Sequence, residues 1–368
     1  MKINIAQPQI GKEEIQAVTA VLKSGMIAQG PKVAELEEKF AKFIGVKYAI
    51  ATSSGTTALH VALLSHGIGP GDEVITSPFT FIASANSILY TGARPVFVDI
   101  DEETFNINPE NIEKAINKKT KAIMPIHLYG SACRMSEIMA IAKKHKLIVI
   151  EDACQSHGAE WRNKKVGSFG TGTFSLYPTK NMTTGEGGMI TTNNKEIYER
   201  SCLLRAHGSK IKYYHDILGY NFRMTDINAA IGVEQLKKLP KLNKIRQKNA
   251  EHLSKNLSGI AGLFTPYIDK NVTHVFHQYT IRITAEFGLS RDEVNKKLNE
   301  AGIGTAVFYP LPINEQKVYK ELGYKSDTLI AKKVSNEVLS LPVHPGLKES
   351  DLRYIVKILK SLKLKTQS

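Results

Sequence analysis

Apolar residues along the first half of the chain alternate between two spacings. Residues 12–24 carry them at helical spacing, and Gly25 stands where that helix should end. Gly30-Pro31 punctuates a loop, and residues 33–43 repeat the helical pattern, with Leu36, Phe40 and Ile44 on one face. A short strand at 48–52 leads through Ser53-Ser54-Gly55-Thr56-Thr57 into an apolar helix at 58–64. After the turn at 69–72, strands at 73–76, 95–98, 122–125 and 147–150 interleave with helices at 82–90, 111–116 and 138–145. Strands separated by helices of about ten residues predict an α/β fold built on a mostly parallel sheet with helices on both faces. Beyond about residue 240 the pattern changes. A helix at 225–236 gives way to a Lys-rich helix at 237–257, which links to a smaller α/β region with a strand at 278–283 and a helix at 291–301. The last segment, 351–364, is an amphipathic helix whose Lys357, Lys360 and Lys363, with Lys365 just beyond, read as a solvated face.

In parallel α/β sheets the functional groups collect at the carboxyl ends of the strands. Here those ends carry Ser54-Gly55-Thr56, Phe79-Thr80-Phe81, His127 and Asp152. Ser54-Gly55-Thr56 at a helix start offers free N–H groups to a phosphate, or is a plain helix cap. Asp152 closes a buried strand and needs a donating partner, such as a protonated pyridine nitrogen, unless it caps a helix beginning at Ala153. Further on, an apolar run ends in Tyr177-Pro178-Thr179-Lys180 before the glycine-rich turn Thr183-Thr184-Gly185-Glu186-Gly187-Gly188. A neutral Lys180 on that turn could form a Schiff base with a carbonyl compound; a solvated loop lysine is the other reading.

Composition narrows the picture only a little. The 42% hydrophobic and 23% charged residues are ordinary for a globular protein, and 368 residues suffice for two domains. No apolar run approaches a membrane span, and the first residues lack the core of a secretory leader, so a cytoplasmic protein is expected. Cys133, Cys154 and Cys202 show no paired spacing, which argues against a disulfide framework or a metal site. The net charge of +14 is spread along the chain without a nucleic-acid-binding motif, so neither nucleic acid nor membrane is expected as a partner.

A phosphate-cupping Ser-Gly-Thr, an aromatic after the next strand, a strand-end Asp and a loop Lys meet the demands of pyridoxal 5′-phosphate (PLP) in one order. The phrases 54–59, 71–75, 79–83, 151–159, 174–180, 183–188 and 219–226 resemble the DegT/DnrJ/EryC1/StrS sugar aminotransferases, within the aspartate-aminotransferase-like fold. The resemblance extends to Leu341-Pro342-Val343-His344-Pro345, essentially the whole chain. It implies a PLP-binding large domain over 1–240 and a small domain over 241–368. It implies Lys180 as the Schiff-base lysine, Asp152 as the pyridinium partner, Phe81 stacked on the ring and Gln155 near the ring face or O3′. Gly55, Thr56 and Ser175 would hold the phosphate, and Asn221 would reach the phosphate of the neighbouring subunit in a homodimer with shared sites. Asn221 alone could also be a helix cap. Tyr309, His344 and Arg223 are expected on the substrate side, although a lone His344 in a Pro-bounded turn also reads as structural.

One branch of the family carries His at the lysine position and dehydrates its substrate; Lys180 implies transamination instead. Cys154 and Ser156 stand where many members have Ala. The implied reaction moves an amino group from glutamate to a nucleotide-linked ketosugar. The Gly185-Glu186-Gly187-Gly188 wording resembles members acting at C4, such as perosamine synthases, whereas 177–181 also occurs in C3 enzymes. A regulatory protein on the same fold is the alternative from another class.

Overall fold

The computed structural model describes residues 2–211, 213–325 and 327–364, so Lys365 lies outside the described residues. Its centre is a seven-stranded sheet. The strands are β1 (Tyr48–Thr52), β2 (Glu73–Thr76), β3 (Arg94–Phe97), β4 (Thr120–Met124), β5 (Ile148–Asp152), β6 (Thr171–Ser175) and β7 (Gly188–Thr192). They lie in the order β1-β7-β6-β5-β4-β2-β3. The run from β6 to β3 is parallel, and β7 runs against both of its neighbours. The mostly parallel α/β sheet read from the alternation is therefore present. Because β4 returns to the far side of β2 from β3, the chain reverses direction between β2 and β4, where such sheets open a crevice.

Side-chain alternation sends each strand into two cores. On one face Ile50, Val74, Ala122, Met124, Ile150 and Ile190 pack with helix α3 (Gly55–Ser65). On the other, Ile75, Ile123, Val149, Phe174 and Met189 meet helices that include α2 (Pro31–Ile44). Gly30-Pro31 proves to be the start of α2 rather than loop punctuation, with Gly30 at the cap and Pro31 at the first turn. The cap is supplied from afar. Asp226 accepts from the N–H groups of Gly30 (2.8 Å), Lys32 (3.1 Å) and Val33 (3.0 Å), a carboxylate at the positive end of the helix.

The helices expected at 225–236 and 237–257 are one element, Asp226–Leu257, which passes through Pro240. A proline within a helix forfeits one backbone donor without ending the helix when packing on both sides outweighs that loss. Here Ala229, Val233, Leu236 and Leu239 are buried against the large sheet, and Ala250, Leu253 and Leu257 enter a second core. That second core is built on the strands Tyr279–Ile283 and Val338–Leu341, with the helices Arg291–Glu300 and Glu349–Leu364. The last helix buries Leu352, Ile355, Leu359 and Leu362 and leaves Lys357 and Lys360 exposed. No helix among the described residues is long and apolar enough to cross a membrane.

Candidate active site

The loop that carries Lys180 leaves the sheet and returns to it. Leu176 N–H donates to Gly187 O (2.8 Å), and Thr184 N–H donates to Leu176 O (3.0 Å), which ties the two ends together. Lys180 N–H closes a turn on Tyr177 O (3.0 Å). The side chain lines a cavity of about 770 Å³ at the carboxyl ends of the strands, and its amine makes no hydrogen bond or ion pair with any described residue. A solvated loop lysine does not describe this position. Burial pushes the ammonium below its ordinary value, opposed in part by Cys154 and Asp152, which eases release of its proton to give the nucleophilic amine.

Asp152, at the end of β5, lines the same cavity and is 5% exposed. Its carboxylate accepts from Ser84 Oγ (2.7 Å) and from Cys154 N–H (3.1 Å). No helix begins at Ala153, so the capping alternative for Asp152 is overturned. The preceding residue, Glu151, points into the opposite core. It accepts from the N–H groups of Gly167 (2.8 Å), Phe169 (2.8 Å) and Gly170 (2.9 Å). His127 completes that set. Its Nδ1 accepts from Cys133 N–H (3.1 Å), so the ring proton sits on Nε2 and faces Glu151 at 3.2 Å. His127 thus belongs to the support of β5 rather than to the cavity.

The N-terminus of α3 forms the cavity's anion side. Ser54 and Thr57 cap each other, Ser54 Oγ accepting from Thr57 N–H (3.1 Å) and Thr57 Oγ1 from Ser54 N–H (3.0 Å). The N–H groups of Gly55 and Thr56 then have no intrahelical acceptor. A side chain at Gly55 is excluded, because its Cβ would meet Ser175 Cβ at 2.6 Å. Gly188 is fixed in the same way, its Cβ falling 2.1 Å from Ser54 O. These close approaches bring the end of β6, the start of β7 and the start of α3 together, and Ser53, Ser54, Gly55, Thr56 and Ser175 line this end of the cavity.

Phe81 is 57% exposed on the cavity, its ring 6.4 Å from that of Tyr309. Gln155 holds Tyr309 through its amide (3.1 Å to the hydroxyl) while its Oε1 accepts from Tyr129 N–H (2.9 Å). Burial keeps the Tyr309 hydroxyl protonated, raising it above the usual tyrosine range. The single chain therefore brings Gly55, Thr56, Phe81, Asp152, Gln155, Ser175, Lys180 and Tyr309 to one cavity. It does not bring Asn221, Arg223 or His344 there. Asn221 is exposed and bridges to Ala206, while the cap of the helix from Asp226 is Thr225, whose Oγ1 accepts from Asn228 N–H (3.2 Å). Arg223 is exposed beside His207 (3.5 Å). His344 is buried, its Nε2 3.0 Å from Asn4 O. Ser84, His277 and Gln278 also line the cavity, and no motif in the sequence marks them.

A lysine amine without a partner among the described residues, a buried carboxylate and a helix-start anion site, all on a mostly parallel sheet, are the groups a PLP-dependent enzyme uses. The observed groups fit that cofactor. The N–H groups of Gly55 and Thr56, which have no intrahelical acceptor, beside Ser175 suit its phosphate, Asp152 suits its ring nitrogen, and the free amine of Lys180 suits its carbonyl. The chain belongs to the DegT/DnrJ/EryC1/StrS aminotransferase family, whose model matches residues 8–360. It is 46% identical to a pleiotropic regulatory protein of Geobacillus stearothermophilus, covering 95% of this chain and 94% of that one. It is 42% identical to the GDP-perosamine synthase of Caulobacter vibrioides, covering 97% of each. Among solved structures, the S. venezuelae DesV in complex with a ketimine intermediate superposes with a TM-score of 0.92 at 34% identity, over 95% of this chain and 94% of that one.

Proposed function

We propose that the protein transfers the amino group of glutamate to a nucleotide-linked 4-keto-6-deoxy sugar, releasing 2-oxoglutarate and an amino sugar for surface polysaccharide. The observation that carries this reading is one cavity in which an unpartnered, half-buried Lys180 faces the same space as Asp152 and the α3 cradle. PLP supplies an electron sink conjugated to the carbon that gains or loses the amine. In this reading Lys180 Nζ takes the proton from that carbon and returns it on the other side of the conjugated system. Asp152 holds a proton on the ring nitrogen. Gly55, Thr56 and Ser175 anchor the phosphate. Phe81 covers one ring face, and Gln155 with Tyr309 borders the substrate side. Similarity to a GDP-perosamine synthase over 97% of both chains supports a nucleotide-sugar substrate, and the Gly185-Glu186-Gly187-Gly188 wording supports the C4 position. The regulatory alternative gains no support from a site that keeps both Lys180 and Asp152.

Incubation with UDP-, GDP- and dTDP-linked 3-keto and 4-keto sugars plus glutamate tests this. The expected product carries its new amine at C4 and appears with an equal amount of 2-oxoglutarate, read by NMR and mass spectrometry. Amination at C3 contradicts the regiochemistry; absence of product from every ketosugar contradicts the sugar reading.

The enzyme is further proposed to be a cytoplasmic homodimer in which Asn221 serves the neighbouring cradle, a role its exposure and its place outside the lining of its own cavity support. Lys180→Ala and Asn221→Ala chains, each impaired alone, are expected to complement on co-refolding. A mixed dimer then holds one site with both lesions and one with neither, so its activity approaches half that of the parent. Stable mixed dimers as inactive as either variant would contradict the crossing.

A further inference from the structure

The carboxylate of Asp152 is held by a hydroxyl from a different part of the chain. Ser84 lies in the helix Ala83–Tyr90, which follows β2, and is 2% exposed. Its Oγ stands 2.7 Å from Asp152 Oδ2 and 3.2 Å from Thr80 Oγ1, and Thr80 is 4% exposed. The direction of this chain follows from the chemistry of its members. An ionised carboxylate only accepts, so the single Ser84 hydrogen points to Asp152. Ser84 Oγ then has only lone pairs for Thr80, and the Thr80 hydroxyl donates to it. Cys154 N–H takes the other carboxylate oxygen, so the plane of the group is fixed from both sides. The same short segment places Phe81, whose carbonyl accepts from Ser84 N–H (3.2 Å), on the cavity.

We propose that Ser84 is a positioning residue for transamination, the middle of a Thr80→Ser84→Asp152 chain that sets the plane and the basicity of the carboxylate facing the cofactor's ring nitrogen. The proposal rests on the reading of Asp152 as the partner of that nitrogen. A charge-assisted bond from a buried hydroxyl disperses the carboxylate's charge, and hydrogen bonds in series strengthen one another. A carboxylate so held competes less for the shared proton, which stays on the ring. Without Ser84 the carboxylate rotates more freely and draws the proton toward itself. Ala85 beside Ser84 is also fully buried, so burial alone does not demand a hydroxyl in this segment.

The test uses PLP-loaded protein and follows the visible absorbance of the lysine Schiff base against pH. Ser84→Ala is expected to raise the midpoint of that titration by about one unit, because a ring that has lost positive charge lets the conjugated nitrogen keep its own proton more readily. The kcat should fall about tenfold, the worth of one hydrogen bond to a charged group, with KM for the amino donor changed less than about twofold. Ser84→Thr, which keeps the hydroxyl, should restore both. Thr80→Val should shift the midpoint in the same direction by less, and it reads the same chain should Ser84→Ala not fold. An unchanged midpoint and kcat in folded, PLP-loaded Ser84→Ala overturns the proposal. So does a variant that loses melting temperature or PLP affinity while its midpoint stays in place, since that is the mark of a packing role. A parent protein without the visible band overturns the reading of Lys180, and this proposal with it.

Discussion

Replacing Lys180 with Ala is expected to lower kcat by on the order of 10⁴, the upper range for loss of a positioned acid–base group. The effect is large because this one amine is assigned two tasks. It must bind the cofactor's carbonyl carbon, and it must then carry a proton between two carbons. Burial lowers the pKa of its ammonium below the ordinary lysine value, which makes the neutral amine that both tasks need easier to reach than for a solvated lysine. Lys180→Arg should fail as completely, since a guanidinium neither forms the Schiff base nor gives up its proton in this pH range. Steady-state kinetics with glutamate and the ketosugar, alongside the visible spectrum, checks both variants. The folded structure should persist, because the amine makes no bond to any described residue whose loss would be felt elsewhere. Wild-type turnover and absorbance in either variant would remove Lys180 from the mechanism.

Asp152→Asn is expected to lower turnover by on the order of 10²–10³ while KM moves far less. The amide keeps the shape: its oxygen can still accept from Cys154 N–H, at 3.1 Å in the parent, and its NH2 then faces Ser84 Oγ, at 2.7 Å, which accepts instead of donating. What it lacks is the negative charge that keeps a proton on the ring nitrogen, and without that proton the ring is a weaker electron sink. Because that charge matters in the transition state more than in binding, the loss should appear in kcat. Parallel kinetic constants for the amino donor and for the ketosugar decide it. A rise in KM equal to the loss of turnover, or no effect on either constant, would return Asp152 to a structural role.

The site's own groups were legible where function and local pattern coincide. Ser54-Gly55-Thr56 announces itself because it falls between a strand and an apolar helix, and Gly55 is needed there for a close approach to Ser175. Asp152 and Lys180 stand at positions where a carboxylate and a lysine are out of keeping with the apolar segments before them. Ser84 gave no such signal. It sits inside an ordinary helical pattern, and its role exists only because β2 and β5 end at the same crevice. The continuity of the helix across 236 and 237 was hidden for a related reason: tertiary packing of Leu236, Leu239 and Leu253 carries one helix through Pro240, and the sequence does not show which cores those residues reach. Gly30-Pro31 opened a helix rather than a loop because its cap, Asp226, comes from nearly two hundred residues away.

The central assignment, a Schiff base between Lys180 and PLP, can be tested without any knowledge of the sugar. Borohydride reduction of the PLP-loaded protein makes that linkage permanent, and peptide mass mapping then locates it. A single pyridoxyl group on the peptide containing Lys180 is the predicted result. A pyridoxyl group on another lysine, or an unmodified Lys180 peptide from protein that retains PLP, would contradict it.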